Sequence, residues 1–491
     1  MVDDLQRAID TYIDERWDAV IDDIESLVRI ESTENLSAGA EGAPFGPGPR
    51  AALDRALAIA RDMGLDAHNC EGYIGYADLP GETDTQVGII GHVDVVPAGP
   101  GWHFEPFAVT RKDGYLLGRG VFDDKGPIVV ALHAVKFWAD RIAEDSQERF
   151  PYTIRVLFGA NEETNMKDVA YYRERFDDPA FLFTPDAEFP VCYGEAGICS
   201  GTLVSAPISG VLHDIAGGVA VNAVPGEARA ILSLAAAASA CGGEADQNAL
   251  LRKLQELAAK HFAEKVSVEV DGALVCVHAH GKSAHASTPE RGVNAIDVLA
   301  DFLLSSGLLG ESEQRALEMV RVVTLASDGS GLGVQASDGH FGALTAVGGT
   351  IALADGRIRL SIDFRYPTTV ASTNLERRVR EVAARFGAAF TMEHDKEPFL
   401  MDSFSPTVQA MLSAYNEATG EQASPFTMKG GTYARVFTRG VSFGPEKPWE
   451  EKPEWVGSMH GPDEGVREDL LKQALSIYIR TIGKLMELKL P

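Results

Sequence analysis

Three segments carry residue types that bind hard metal ions and move protons. They are Gly91-His92-Val93-Asp94-Val95-Val96-Pro97, Gly118-Arg119-Gly120-Val121-Phe122-Asp123-Asp124-Lys125-Gly126-Pro127 and Asn161-Glu162-Glu163-Thr164. Each reads as a strand running into a loop, and together they deliver His, Asp and Glu in clusters. Imidazole with carboxylate oxygen suits zinc or manganese, not a thiolate-held structural zinc. The chemistry this predicts is hydrolysis by a metal-activated water.

Such residues need elements to hold them. Val87 to Gly91 is a short buried strand leading into His92. Thr153 to Phe158 is a strand running toward Glu162, and Phe181 to Thr184 one running into Pro185-Asp186. Between and around them lie helical patterns. Leu5 to Ile30 shows one apolar face through Ile9, Ile13, Trp17, Val20, Ile24 and Leu27. Ala51 to Met63 ends at Gly64, Pro127 to Trp138 follows, and Glu468 to Glu487 closes the chain. Strands alternating with helices predict an α/β sheet covered on both faces. In such sheets ligands bind beyond the carboxyl ends of the strands. His92, Glu162, Glu163 and Asp186 are thus expected at one rim.

The character changes after about Val191. Alternating strand patterns, such as Val266 to Val270 and Ile358 to Arg365, mix with helices at Gln247 to His261 and Val293 to Leu304. This predicts an inserted α+β domain over 191–396, large enough for two subdomains. The first domain then comprises 1–190 and 397–491, because His460 must return to the rim.

Composition narrows the partners. The 491 residues carry 44 basic and 72 acidic side chains, a net charge of -28. Binding to a phosphate backbone or an anionic membrane calls for the opposite sign, which excludes nucleic acid and membrane surfaces as expected partners. The N-terminal residues lack a basic start and an apolar stretch, which predicts no secretory leader. The alanine-rich run near 230–240 is too short to span a bilayer. Cys70, Cys192, Cys199, Cys241 and Cys276 form no paired motif and read as reduced thiols of a cytoplasmic protein.

The motifs occur in a family order over nearly the whole chain. Besides the three segments above they include Pro44-Phe45-Gly46, Trp102 to Phe107, Thr184-Pro185-Asp186-Ala187-Glu188-Phe189-Pro190, Ser283-Ala284-His285-Ala286-Ser287, Asp363-Phe364-Arg365, Gly430-Gly431-Thr432-Tyr433 and Met459-His460. In these the chain resembles the aminoacylase, carnosinase and carboxypeptidase clan of two-metal exopeptidases, and within it the PepV-type dipeptidases. The resemblance implies a zinc-exopeptidase-like catalytic domain with a central, mostly parallel sheet, closed by the inserted lid domain. It implies two Zn²⁺ per chain, with Mn²⁺ the alternative. His92 and Asp186 would serve one ion, Glu163 and His460 the other, and Asp123 both.

The same resemblance makes Glu162 the general base and His285 the donor to the oxyanion. Asn222, Arg365, Gly430, Gly431 and Thr432 become substrate contacts, Arg365 through a fork onto the α-carboxylate. Asp94 lies two residues after His92, on the same face of an extended segment, and can hold the imidazole in its metal-binding tautomer. Glu464 is expected either beside His460 or as an acid at a helix N-terminus. The activity implied is cleavage of dipeptides by a monomer whose lid supplies its own His285. The alternatives are N-acyl-amino-acid deacylation with the same chemistry, and a non-catalytic peptide binder. The segment Pro445 to Ser458 is longer than the connection usual in the resembled enzymes and is expected to reshape the entrance.

Overall fold

Alternate residues of a strand point to opposite faces, and the central strands use this to bury both. Ile89, Val156, Phe181 and Phe183 lie in one apolar cluster, while Ile90, Leu157 and Leu182 lie in another. Helices Val2–Val28, Pro47–Asp62, Lys125–Glu144, Pro406–Thr419 and Glu468–Met486 supply the first cluster. Helix Lys167–Arg173 and the turn Tyr433–Val436 supply the second. The computed structural model describes residues 2–144, 149–233, 235–236, 247–272 and 274–490. Cys241 and part of the alanine-rich run 230–240 lie outside them.

The sheet runs in the order Asp66–Cys70, Ile74–Leu79, Tyr152–Gly159, Thr83–His92, Phe181–Thr184, Gly440–Ser442 and Cys192–Glu195. Its middle four strands are parallel, with His92 level with Gly159 and Ile89 level with Phe183. The outer pairings are antiparallel. The expected mostly parallel sheet is therefore parallel at its centre and antiparallel at its edges. The parallel strands bring the ends at His92, Gly159 and Thr184 to one rim.

Pro47 opens its helix, where a missing N–H costs nothing. One sequence feature allows close packing at the rim. At Gly91 a Cβ would lie 2.2 Å from Asp124 Oδ2 and 2.8 Å from Ile128. Only glycine lets helix Lys125–Glu144 come this near the strand, and the approach lets the His92 N–H donate to Asp124 Oδ2 at 3.0 Å.

The chain forms two units. Met1–Gly194, Leu400–Phe426 and Gly431–Pro491 make the first, and Glu195–Phe399 with Thr427–Gly430 the second. The expected limits at 190 and 396 fall a few residues before the crossings after Gly194 and Phe399, and the expected return stretch 397–491 is broken by Thr427–Gly430. Among the described residues the second unit holds an antiparallel sheet of eight strands. Two four-stranded halves meet where Leu212–Gly217 pairs with Thr345–Ala354 at Ala216↔Ala352 and Gly217↔Ile351. One apolar cluster runs through both halves, so the expected two subdomains share a core. Among the described residues no helix is long and apolar enough to cross a membrane, and Cys70, Cys192, Cys199 and Cys276 form no disulfide with one another.

Candidate metal centre

The rim of the first unit gathers His92, Asp123, Glu162, Glu163, Asp186 and His460. They arrive from several local devices: a strand end for His92, the loop before a helix for Asp123, post-strand turns for the Glu pair and Asp186, and a turn for His460. Ligand atoms of His92, Asp123 and Glu163 lie within 4.8 Å of one another, as do those of His92, Glu162 and Asp186.

Asp123 stands between the two imidazoles. Its Oδ1 is 3.0 Å from His92 Nε2, and its Oδ2 is 2.9 Å from His460 Nε2. His460 Nε2 also lies 3.0 Å from Glu163 Oε2, and His92 Nε2 lies 3.8 Å from Asp186 Oδ2. The cluster thus divides into a His92–Asp186 side and a His460–Glu163 side around one shared carboxylate. His460 reaches its place from a left-handed backbone, φ 63°, a conformation uncommon for residues other than glycine.

Several observations fit this group to divalent cations. Glu163 Oε1 is buried and has no hydrogen-bond partner, although buried polar atoms are nearly always paired. His92 Nδ1 donates to the Asp94 carbonyl oxygen at 2.9 Å, which leaves Nε2 as the donor atom facing the carboxylates. The donor set is nitrogen and oxygen, with no thiolate in it.

The charges are crowded. Burial disfavours the imidazolium of His460, but hydrogen bonds to Asp123 and Glu163 outweigh it and push its pKa up to about 11. Burial acts the same way on His92 and is likewise outweighed, by Asp123 and by the charges of Asp94 and Asp186. Burial alone would raise Asp123, yet the two imidazoles hold it well below the usual carboxylate range. Burial and neighbouring carboxylates push Glu162 up to about 8 and Asp186 well above its ordinary value, against the pull of His92.

Asp94 does its positioning differently from the expectation. Its carboxylate is 3.6 Å from His92 Nδ1, beyond hydrogen-bond reach, and it is the backbone carbonyl that holds the ring. The carboxylate instead accepts the N–H groups of Glu162 and Glu163, both at 3.2 Å. Ring N–H and turn amides are all donors, and it is the two amides that take the carboxylate while the ring takes the carbonyl. Glu464 also differs from both expected placements. Its Oε1 accepts from the backbone N–H of Gly120, Phe122 and Asp123 at 3.0, 3.1 and 3.2 Å, and its Oε2 takes the Arg119 guanidinium. It therefore ties the Asp123 loop to the segment that carries His460.

Two residues outside the expected set also brace the rim. Buried Lys125 donates to the carbonyls of Leu27 and Ile30 at 3.0 and 2.7 Å, closing the end of the first helix against the Asp123 loop. Glu34 accepts from Asn161 Nδ2 at 2.7 Å and Thr164 Oγ1 at 3.0 Å, bracing the Glu162–Glu163 turn. The Asp-Asp-Lys run hinted at the first, but nothing local in sequence marks Glu34. The Pro445 to Ser458 segment is fastened to the first unit, with Lys447 on Glu421 at 3.2 Å and Glu450 on Arg467 at 2.6 Å.

In the second unit Ala223 pairs with His285, and the Ala286 N–H donates to the Asn222 carbonyl at 2.9 Å, so Asn222 and His285 are neighbours. His285 Nδ1 lies 2.7 Å from Ser287 Oγ. Arg365 does not present a free fork. Its Nε and Nη2 lie 2.7 and 3.2 Å from Asp363, and Nη1 donates to the Lys429 carbonyl at 3.1 Å, next to Gly430. Two residues apart on a strand, Arg365 and Asp363 share a face, which makes this pairing the nearer one. Thr432 in the first unit is buried, and its hydroxyl caps the following turn by accepting the Ala434 N–H at 3.1 Å while contacting Ser442 Oγ at 2.9 Å. That hydroxyl serves the fold where a substrate contact was expected; Gly431 beside it is half-buried.

Known proteins share this architecture and sequence. YtjP of Bacillus subtilis, provisionally named a dipeptidase, is 29% identical over 477 residues, covering 95% of this chain and 97% of its own. A Staphylococcus haemolyticus protein under the same provisional name is 31% identical over 478 residues, covering 95% and 97%. Among solved structures, human carnosine dipeptidase 1 superposes with a TM-score of 0.55 at 15% identity, over 99% of this chain and all of that one. The dipeptidase Dug1p of Saccharomyces cerevisiae gives a TM-score of 0.58 at 15% identity, with 99% and 100% covered. These two structures speak for the fold. The family model matches residues 88–484, from the strand that ends in His92 to the last helix, and by that match the chain belongs to peptidase family M20/M25/M40.

Proposed function

We propose that this chain is a metal-dependent dipeptidase. The observation that carries the reading is the placement of Glu162 beside Asp123 and the four ligand-type side chains gathered around it, in a chain whose full-length relatives are named for that activity. In this proposal His92 and Asp186 hold one ion, His460 and Glu163 the other, and Asp123 both; the ions are Zn²⁺, with Mn²⁺ the alternative. Bound there, they would lower the pKa of a water and polarise the scissile carbonyl.

The chain's own groups do the rest. Glu162 takes the proton of the attacking water and passes it to the leaving amine. His285 donates a hydrogen bond to the oxyanion, and Asn222, Gly430 and Gly431 hold the substrate. Arg365, already paired with Asp363, contributes by anchoring the Lys429 carbonyl next to Gly430. Cysteines that form no disulfide with one another among the described residues support a reducing, cytoplasmic setting. A second unit that carries its own His285 supports a monomer.

The test is hydrolysis of Ala-Ala, Leu-Leu, β-Ala-His, a tripeptide and N-acetyl-methionine by chelator-stripped protein resupplied with Zn²⁺ or Mn²⁺. Metal-restored cleavage of the dipeptides is expected. Cleavage of N-acetyl-methionine alone would replace this reading with deacylation.

Metal binding should release protons. Without cations the carboxylates keep His92 and His460 protonated, and Glu162 and Asp186 are pushed up toward their neutral forms. Ligation needs neutral imidazole and ionised carboxylate. At pH 7 we expect more than about one proton released per chain on saturation, with affinity rising as pH rises. Calorimetry in buffers of different ionisation enthalpy measures this, and zero release would contradict the charge assignment.

A further inference from the structure

The turn that carries Glu162 and Glu163 has four successive backbone N–H groups, and two buried carboxylates collect all of them. Glu162 and Glu163 donate to Asp94, as described. The two preceding residues, Ala160 and Asn161, donate to Asp168 Oδ2, both at 2.8 Å. Asp168 Oδ1 accepts the Val169 N–H at 2.7 Å, at the start of helix Lys167–Arg173. The same Oδ2 accepts a short hydrogen bond from the Tyr433 hydroxyl. Asp168 and Tyr433 are both fully buried.

Tyr433 has a second contact at the centre. Its ring meets the His92 ring edge-on, with centroids 6.4 Å apart and planes at 78°. At Gly159, the last residue of the strand before the turn, a Cβ would lie 2.0 Å from the Tyr433 oxygen and 2.7 Å from Asp168 Oδ2. The strand end is thus shaped around this pair. Tyr433 also directly follows Gly431 and Thr432, in the turn that Thr432 caps.

We propose that Asp168 and Tyr433 are a positioning pair for Glu162. Asp168 anchors one half of the turn as Asp94 anchors the other, and the Tyr433 hydroxyl fixes the direction of the Asp168 carboxylate. A base must stay within hydrogen-bond reach of the proton it takes, so a turn free to rock would cost turnover more than substrate affinity. The pair hydrogen-bonds to the backbone of the turn, and it meets the metal-ligand side chains through the Tyr433 ring on His92. This role rests on the reading of Glu162 as the base.

The experiment uses the full-length, metal-loaded chain and Tyr433→Phe, which removes one oxygen and keeps the ring. We expect kcat to fall about 10- to 100-fold, the range for loss of a partner that orients a functional side chain, with KM and metal content nearly unchanged. In a Glu162→Gln background the same change should have no further effect on kcat. Amide hydrogen exchange of the peptide covering residues 160–163 should be about ten times faster in Tyr433→Phe than in the wild type, since one charge-assisted hydrogen bond is lost.

Unchanged kcat and unchanged exchange would overturn the proposal. So would an equal loss of kcat with Glu162 intact or replaced, because that marks a general structural defect. Should Tyr433→Phe fail to fold, Asp168→Asn and the wild-type exchange rates still decide. Amides 160–163 exchanging in the wild type as fast as an exposed loop would defeat the idea outright. A wild-type chain inactive on every substrate would fail the hydrolytic reading alone, and the exchange rates would still judge the positioning.

Discussion

Glu162→Gln should lower kcat by about 10²- to 10⁴-fold, the range for loss of a general acid–base group, while both metal ions stay bound. The substitution keeps the size of the side chain and removes its ability to take a proton. Glu162 has the burial and the neighbours for that work. Burial first, then Glu163, Asp123 and Asp94, push its carboxyl up to about 8 in the absence of cations, against His92. Cations would draw that value down toward neutrality, where a base is best matched to its task. A different outcome is built into the same geometry, because Glu162 also lies in a ligand-sized group with His92 and Asp186. Metal analysis of the purified variant separates the two. Activity lost with two ions retained makes Glu162 the base, whereas loss of an ion makes it a ligand.

Asp123→Ala should be the most damaging single change at the centre. Both of its oxygens are in use, one 3.0 Å from His92 Nε2 and the other 2.9 Å from His460 Nε2. No other described carboxylate is recorded within ion-pair range of both imidazoles. Its removal strips a shared ligand and leaves the two sides of the cluster without a common anion. Even residues that merely orient metal ligands cost about 10- to 100-fold in affinity or activity when changed. For Asp123 we expect a larger effect: ion content by plasma mass spectrometry falling below one per chain after gel filtration, and activity below detection. Two tightly held ions in Asp123→Ala would refute its bridging position. The fold should survive, since Glu464 and Lys125 hold the surrounding loop through backbone groups that the substitution leaves in place.

The elements around the centre were legible because their signals are local. The apolar run before His92, the run before Glu162 and the run before Asp186 each announce a strand. Parallel strands share one carboxyl rim, so the convergence of those side chains follows from strand direction alone. Helix Gln247–His261 ends where expected, and Ala295–Ser306 is capped by Asn294, whose side chain accepts the Ile296 and Asp297 N–H groups at 2.9 and 3.2 Å. The start at Pro47 was less legible, because a Gly/Pro-rich stretch reads equally as loop and as the first turn of a helix. The direction of the outermost strands of the central sheet was not legible, for a related reason. A buried strand shows the same apolar run whether its neighbour is parallel or antiparallel.

Residue types and periodicities of a few residues were enough to say which side chains can meet: the imidazoles, the carboxylates and the strand ends that deliver them. Which atom serves which partner depends on the packed fold. It turned the Asp94 carboxylate to the amides of Glu162 and Glu163, spent the Arg365 fork on Asp363, and set Glu464 under the Asp123 loop. It also brought Tyr433 to Asp168 across 265 residues of chain. A hydrogen bond is selected by distances of tenths of an ångström between groups that close packing brings together, and no local pattern in a chain encodes a distance of that kind.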